Sequence, residues 1–447
     1  MTPENTENTE ELEQLRRQFD QAPFPRKPLE APPDGNPEAL FILNLVTPYY
    51  LRHRRVTNTE DKLILDAGCG TGFKSLVLAK ANPGARIIGI DLSKESINLA
   101  SERLKYHGFT NVEFHALPIE EVPQLGLEFD YINCDEVLYL LPNPLAGLKA
   151  MKSVLKPDGL LRANLHHMYQ RAPYFQAQAL FRLMGVMHEE TELAEKIVIE
   201  TMEALKDETR LKFESWGPSF RGKPVDSEDL KERLHANQLL AGDKGFTVSD
   251  LFNLLAASNL EFVSMVNWRH WDVTELFNEP ENLPFFWSVS LAEATVQDKL
   301  HVFELLHSVH RLMDFWCTHP GPVGTSVDEW SEADWHSAMV HLHPQLQTPA
   351  LKTELIQAVQ AGKPFEISRD VKLPALTPVL LEASTAACLL PLWEGPQPIQ
   401  VLVERYRQIR PVNPVTLEPT TATTAFQAVR ELLNRLDAFL YVLLERR

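Results

Sequence analysis

Basic charge, paired cysteines and long apolar runs are all scarce in this chain. Its 447 residues carry 43 Lys and Arg against 61 Asp and Glu, a formal net charge of −18. That balance argues against a nonspecific nucleic-acid binder, whose affinity comes mainly from a basic surface, so no nucleic-acid partner is expected. The compact basic run Arg52-His53-Arg54-Arg55 is read as a solvated helix end. The four cysteines, Cys69, Cys134, Cys317 and Cys388, form no C-x-x-C pair. Neither a zinc site nor a disulfide framework is expected, and the reducing cytoplasm is the expected location. His301, His307 and His310 fall in no H-E-x-x-H set and are expected to be packed or solvated, with no metal. No apolar run reaches the roughly 18 residues of a membrane span, and the N-terminus is polar and acidic, so no membrane partner or signal peptide is expected. There is no internal repeat, and the length suits two or three domains.

What the chain does have is one organising stretch, from Leu63 to Asp91. An apolar strand, Leu63-Ile64-Leu65-Asp66-Ala67, runs into Gly68-Cys69-Gly70-Thr71-Gly72. Phe73 to Ala81 has helix-forming composition, stopped by Asn82-Pro83-Gly84. Ala85 to Ile90 reads as a second buried strand with Asp91 at its carboxyl end. Strand, glycine turn, helix, strand and terminal acid make a nucleotide-binding βαβ unit. The details select the nucleotide. A dinucleotide turn spaces its glycines G-x-G-x-x-G, whereas here the third comes one residue early. Asp66 stands where a pyrophosphate would approach, and a carboxylate repels phosphate. A P-loop fails because Lys74-Ser75 follows Phe73 rather than Gly. An acid before the glycines suits a ligand with an ammonium group and no phosphate, such as S-adenosylmethionine (SAM). Asp91, 19 residues beyond Gly72, is placed to accept both ribose hydroxyls.

This stretch resembles motif I and the acidic loop of class I SAM-dependent methyltransferases, and the Leu155-Lys156-Pro157-Asp158-Gly159 turn ahead of the fifth strand resembles the family too. The resemblance is specific over residues 61–168 and weaker to 275. It implies an α/β fold, a Rossmann-like core that binds SAM through Asp66, Ala67, Gly68, Gly70, Gly72, Asp91 and Leu92. The loop after the third strand, Asn111–Ala116, would hold adenine through Leu117, Pro118, Ile119 and Glu120. Pro118 stands where the family often has an acid for the adenine amine. Adenine selectivity is therefore expected to be loose, with Glu120 as a weaker candidate for that acid. The fourth strand, Glu128–Cys134, ends in Asn133-Cys134-Asp135-Glu136, and the fifth, Leu160–Leu165, delivers His166 and His167 to the same rim. By the rule that ligands sit outside the carboxyl ends of parallel strands, Cys134 faces the cofactor. Asp135, Glu136, Tyr139, His166 and His167 are the candidates for base or acceptor anchor.

Around that core the sequence divides into an N-terminal arm and lid helix (1–60), a methyltransferase domain (61–320) and a helical C-terminal domain (321–447). The arm has a short helix expected from Glu10 to Phe19 and then a proline-rich stretch anchored by Phe24. Residues 20–55, with Tyr49 and Tyr50, are read as a lid over the cofactor. A helix-rich block of about 168–245, broken at Trp216-Gly217-Pro218, precedes the sixth strand, Leu260–Asn267. Such a block covers the substrate or mediates a homodimer. Val296–Trp316 is read as one amphipathic helix. Beyond a linker at Pro320–Thr325, helices are expected at Glu332–His341, Ala350–Ala361, Thr377–Leu390, Ile399–Arg407 and Thr424–Leu444. The layout looks like bacterial methyltransferases with a helical, winged-helix-like regulatory domain, a group that includes protein-lysine methyltransferases. The region after Pro320 is expected not to be needed for cofactor binding. The acceptor implied is a protein side chain, with a small molecule as the alternative, and a non-catalytic SAM-sensing regulator as the reading from a different class.

Overall fold

The computed structural model describes residues 12–446 apart from 14, 21, 22, 34, 218, 219, 225, 226, 414 and 415. Glu10 and Pro218, which figure in the expectations above, lie outside the described residues. A seven-stranded sheet forms the frame: β1 (Leu63–Ala67), β2 (Arg86–Asp91), β3 (Val112–Ala116), β4 (Phe129–Cys134), β5 (Leu155–His166), β6 (Glu261–Met265) and β7 (Leu312–Thr318). The order is β3-β2-β1-β4-β5-β7-β6. All neighbours pair in parallel except β7, which runs antiparallel to both β5 and β6. The topology reverses at β1/β4, which fixes the ligand crevice above the carboxyl ends of those strands. β1 and β4 are buried almost throughout, as strands covered on both faces must be.

β7 corrects the single amphipathic helix expected over Val296–Trp316. The helix is Val296–Leu306, closed by a Thr295/Asp298 capping box at its start and by His307 at its end. Residues 312–318 then enter the sheet, with Phe315, Trp316 and Cys317 buried. The expected helices at Glu332–His341 and Thr424–Leu444 divide in the same way. Each is a helix (Glu332–His336, Ala422–Asp437) followed by a strand, β8 (Met339–Leu342) and β12 (Val442–Glu445). The expected Thr377–Leu390 helix is instead a two-residue strand, a short Ala383–Ala386 helix and a 3-10 segment, Ala387–Glu394. β9 (Phe365–Glu366) pairs with β10 (Leu380–Leu381), and β11 (Gln397–Pro398), β8 and β12 form a three-stranded antiparallel sheet.

The helices Pro37–Leu43 and Val46–His53 sit between the two sheets. Leu40, Leu43 and Leu45 pack against the large sheet with Ile64, Leu76 and Leu78. Phe41, Val46 and Tyr50 face the other way, into a core with Val340, Leu433 and Tyr441. The Tyr50 hydroxyl donates to Asp437 Oδ1 (2.5 Å) and accepts from the Leu444 N–H (2.8 Å). Tyr50 therefore faces away from the cofactor crevice, and Tyr49 packs against the large-sheet core. Nor is the basic run a solvated helix end: Arg52 is buried and bonds Glu261 Oε2 and the Gly321 carbonyl, and Arg54 pairs with Asp437.

The inserted block has its own core. Helices Met168–Leu183, Thr191–Ala204, Arg210–Ser215 and Glu228–His235 pack Phe181, Val198, Met202, Trp216 and Leu234 together beside the β4/β5 rim. Among the described residues, no helix is long and apolar enough to cross a membrane, and no group of three or more His, Cys, Asp or Glu could hold a metal ion.

Candidate active site

The glycine turn is shaped by what touches it. The Gly70 N–H donates to Asp91 Oδ2 (2.9 Å), and the Gly68 and Cys69 N–H groups donate to the Ile90 carbonyl. Gly72, at φ +77°, opens the Phe73–Ala81 helix, and a Cβ there would meet Ala100 at 2.7 Å. Gly70, at φ +50°, has no room either, because a Cβ would lie 2.2 Å from the Phe24 carbonyl. Both positions need a residue that reaches positive φ without a side chain.

That Phe24 carbonyl belongs to a strap laid across the turn. The Thr71 N–H donates to Phe24 O (3.0 Å) and the Thr71 hydroxyl to Pro25 O (2.8 Å). The guanidinium of Arg103 donates to the carbonyls of Thr71, Lys27 and Pro28, and His107 bonds Leu29 O. Arg26 pairs with Glu228, so the strap also touches the inserted block. A proline-rich segment suits this role, since it offers many carbonyls and few N–H groups.

Beneath the strap lies a cavity of about 300 Å³, lined by Gly68, Gly70, Asp91, Leu92, Leu117, Ile119 and Glu120, with Phe19, Phe24, Phe73, Lys74, Asp135 and Glu136. Of the expected cofactor residues, Asp66, Ala67, Gly72, Pro118 and Cys134 are not on its wall. Asp66 is buried under the turn, where it accepts from the Ser75 hydroxyl (2.6 Å) and the Asn133 amide (2.9 Å). Burial pushes its carboxyl up to about 6. Its acid braces the turn from below and is off the cavity wall. Ala67 and Cys134 are core, the latter with a thiol raised by burial, and Pro118 leads into a 3-10 turn, Ile119–Leu125.

Asp91 accepts Gly70 N–H and Ser93 N–H, and burial raises its carboxyl above the ordinary range. Glu120 is raised by burial as well, and its Oε2 is buried with no hydrogen-bond partner. An orphaned carboxylate oxygen in a cavity wall costs roughly 1–3 kcal/mol until something donates to it. Lys74 Nζ pairs with Asp135 Oδ2 (2.6 Å), and Asp135 also pairs with Arg162 (3.1 Å) and accepts from Asn164. Burial opposes that charge, but Arg162 and Lys74 outweigh it and hold the Asp135 carboxyl well below its usual range. Asp135 is thus a fixed anion, not a base.

A second, narrow cavity of about 70 Å³ adjoins the first and shares Phe19, Phe24, Glu136 and Leu140 with it. Tyr139, His235 and Arg311 complete much of its wall. Glu136 adopts φ +63° with its N–H donated to Asn164 Oδ1 (2.8 Å). Its carboxylate accepts both Arg311 Nη groups and the Tyr139 hydroxyl (3.0 Å). Burial works against that charge, and Arg311 more than offsets it, so Glu136 is held below its ordinary range. Burial drives the Tyr139 phenol well up, so it is a donor and not a base. His166 lies behind this layer, stacked on Tyr139 at 3.6 Å and bonded to Asp243 Oδ1 (2.6 Å). His167 does not join it. Its Nε2 meets Glu304 (3.0 Å), and its ring sits edge-on to Trp271. The sequence reading missed Arg311 and Asp243. Arg311 follows from β7: an antiparallel strand brings its first residues to the carboxyl ends of its parallel neighbours.

Residues 58–222 match a family model described as a methyltransferase domain. Over those residues the chain carries a methyltransferase domain. Within it, 134 residues are 33% identical to a ubiquinone biosynthesis O-methyltransferase of Actinobacillus pleuropneumoniae, covering 29% of this chain and 56% of that one. An uncharacterized protein of Synechococcus is 36% identical over 168 residues, 37% of this chain and 40% of its own. The chain thus spans between two-fifths and just over half the length of these curated relatives. The methyltransferase fold extends further in a solved structure, PKMT2 from Rickettsia typhi, which superposes with a TM-score of 0.58 over 90% of this chain and 75% of its own at 14% identity. The same protein in complex with AdoHcy superposes at 0.56.

Proposed function

We propose that the chain transfers the methyl group of SAM to an amine on a long aliphatic arm, in the first instance a protein side chain, presented through the narrow cavity. The observation that carries this is Glu136, a partly buried anion shared by the two cavities. SAM, when bound, supplies a sulfonium methyl open to direct displacement. The Gly68–Gly70 backbone and Asp91 would hold its ribose end, and Leu117, Ile119 and Glu120 its adenine. Lys74 and Asp135, already paired in the wall, match the charges of its amino-acid end.

The chain's residues then have simple tasks. Phe19, Phe24 and Leu140 exclude water, which favours the neutral, nucleophilic form of an incoming amine. Glu136 has accepted three hydrogens and retains room for one more from the amine. Alignment of the nucleophile with the methyl can supply roughly 7–11 kcal/mol of the barrier. A net charge of −18 attracts basic proteins. A hydroxyl acceptor needs a base, and the lowered Glu136 is a poor one. A small-molecule hydroxyl is nevertheless the second reading, favoured by the O-methyltransferase named above, whose likeness is confined to the core.

Incubating an extract with methyl-labelled SAM and separating protein from small molecules decides between them. Label in protein is expected, and label confined to the small-molecule fraction would overturn the protein reading. Glu136→Gln should leave S-adenosylhomocysteine affinity unchanged and slow transfer to the same extract by roughly 10- to 100-fold, the worth of one charged hydrogen bond. Unchanged transfer would remove Glu136 from the acceptor site.

Glu120, the weaker candidate for the adenine acid, supports selective rather than loose adenine binding. Its unpartnered Oε2 is a ready acceptor for the exocyclic amine. The inosine analogue of S-adenosylhomocysteine should bind at least roughly tenfold more weakly than the parent. Glu120→Ala should bind the two alike. Discrimination that survives this substitution would assign the amine to another group.

A further inference from the structure

The inserted block reaches the acceptor end of the site through one chain of side chains, buried at its Asp243 and His166 end. Asp243, at the end of that block, is fully buried and has both oxygens engaged. Oδ2 accepts from Arg171 Nη2 and Gln178 Nε2, both at 2.9 Å, and Oδ1 faces His166 Nδ1 at 2.6 Å. The other ring nitrogen, His166 Nε2, lies 3.1 Å from Arg311 Nη1. Arginine has only donors, so Nε2 must be the acceptor and Nδ1 must carry the proton. Burial pushes the imidazole down to about 4, which keeps it neutral. The same Arg311 Nη1 also donates to Glu136 Oε2 (2.9 Å).

We infer that Asp243 is a positioning residue: by fixing the tautomer of His166 it leaves Nε2 free to receive Arg311, which in turn holds the Glu136 carboxylate at the junction of the two cavities. This rests on the reading of Glu136 as the acceptor anchor. With the opposite tautomer, an Nε2–H would face an Arg311 N–H. Arg311 would then swing off, and Glu136 would lose the two donors that set its direction and its charge. Tyr139 is held between the same partners, stacked on His166 and bonded to Glu136. The helical block therefore tunes the acceptor site through Asp243 as well as lining it with His235.

Asp243→Asn isolates the effect, since it conserves shape. Arg171 and Gln178 are both donors, so the Asn oxygen turns to them and its NH₂ turns to His166 Nδ1. That forces the Nε2–H tautomer. The probe is sinefungin, the cofactor analogue with an amine in place of the sulfonium methyl, titrated alongside S-adenosylhomocysteine. The full-length protein should prefer sinefungin. Asp243→Asn should lose that preference by roughly tenfold, one charge-assisted contact, with S-adenosylhomocysteine affinity unchanged. Histidine ¹⁵N shifts should show His166 switching from the Nδ1–H to the Nε2–H form. His166→Gln, which offers both an acceptor and a donor, should keep the preference. His166→Phe, which retains the stack but has no acceptor, should lose it and serves if Asp243→Asn does not fold. If Glu136→Gln loses the preference while Asp243→Asn and His166→Phe keep it, the relay is wrong and the acceptor site stands. If Glu136→Gln also keeps it, the reading of Glu136 itself fails.

Discussion

A chain ending at Pro320 should fail to accumulate as soluble, cofactor-binding protein. Cofactor binding needs the core, and the core needs the Pro37–Leu43 and Val46–His53 helices on its sheet. Those helices have a second apolar face, and the buried residues that cover it all lie beyond Pro320. Phe41, Val46 and Tyr50 are at most 1% exposed in the intact protein. Truncation would bare all three and leave the Tyr50 hydroxyl without Asp437 and Leu444. At about 1.5–3 kcal/mol for each large apolar side chain, the loss is of the same order as the roughly 5–15 kcal/mol that keeps a domain folded. The exposed patch would also favour aggregation. Expression of the truncated chain followed by titration with S-adenosylhomocysteine checks this. Soluble protein with full-length affinity would mean that the two sheets fold independently, as the sequence suggests.

The sequence suggested it because the C-terminal strands are hard to see. β1 to β5 were legible: each has apolar residues over strand length, and Gly, Pro or Asn punctuates the connections between them. β7, β8 and β12 each follow a helix by a few residues with no such punctuation. Val309-His310-Arg311, Ser337-Ala338 and Ala438-Phe439-Leu440-Tyr441 do the turning. Leu440 does so at φ +56°, where glycine would ordinarily announce the turn. Short apolar runs fit a helical stripe and a buried strand equally well, so the periodicity ran on through them. The cost to the site was specific. Without β7 there was no reason to bring Arg311 to the rim, and without Arg311 the direction of Glu136 and the role of His166 could not be read. Asp66 went the other way: the motif placed it near the ligand, and only the contacts with Ser75 and Asn133 show it underneath. Glu120 was visible, but an unpartnered oxygen is a property of packing that no spacing reveals.

Asp91→Ala should weaken S-adenosylhomocysteine binding by at least tenfold and toward a hundredfold. Two contributions act in the same direction. The carboxylate is placed to accept two ribose hydroxyls, each worth about 1.5–3 kcal/mol to a charged acceptor. It also accepts the Gly70 N–H, which holds the turn in the shape that leaves room for the Phe24 carbonyl. Burial of the charge opposes them, as the raised carboxyl shows, and this keeps the expected loss below the full sum. The same shift sets a pH dependence. Because the folded value lies above that of an ordinary Asp, the charged acceptor is lost as pH falls through the raised value, at a higher pH than for an exposed carboxyl. Affinity should therefore decline on acidification in the wild type but not, through this group, in Asp91→Ala. Calorimetry at neutral and mildly acidic pH measures both. Equal binding by wild type and Asp91→Ala would remove Asp91 from the ribose site. NAD binding as tight as that of S-adenosylhomocysteine would overturn the assignment of this cavity to SAM, since a pyrophosphate would then be tolerated where Asp135 holds a fixed negative charge.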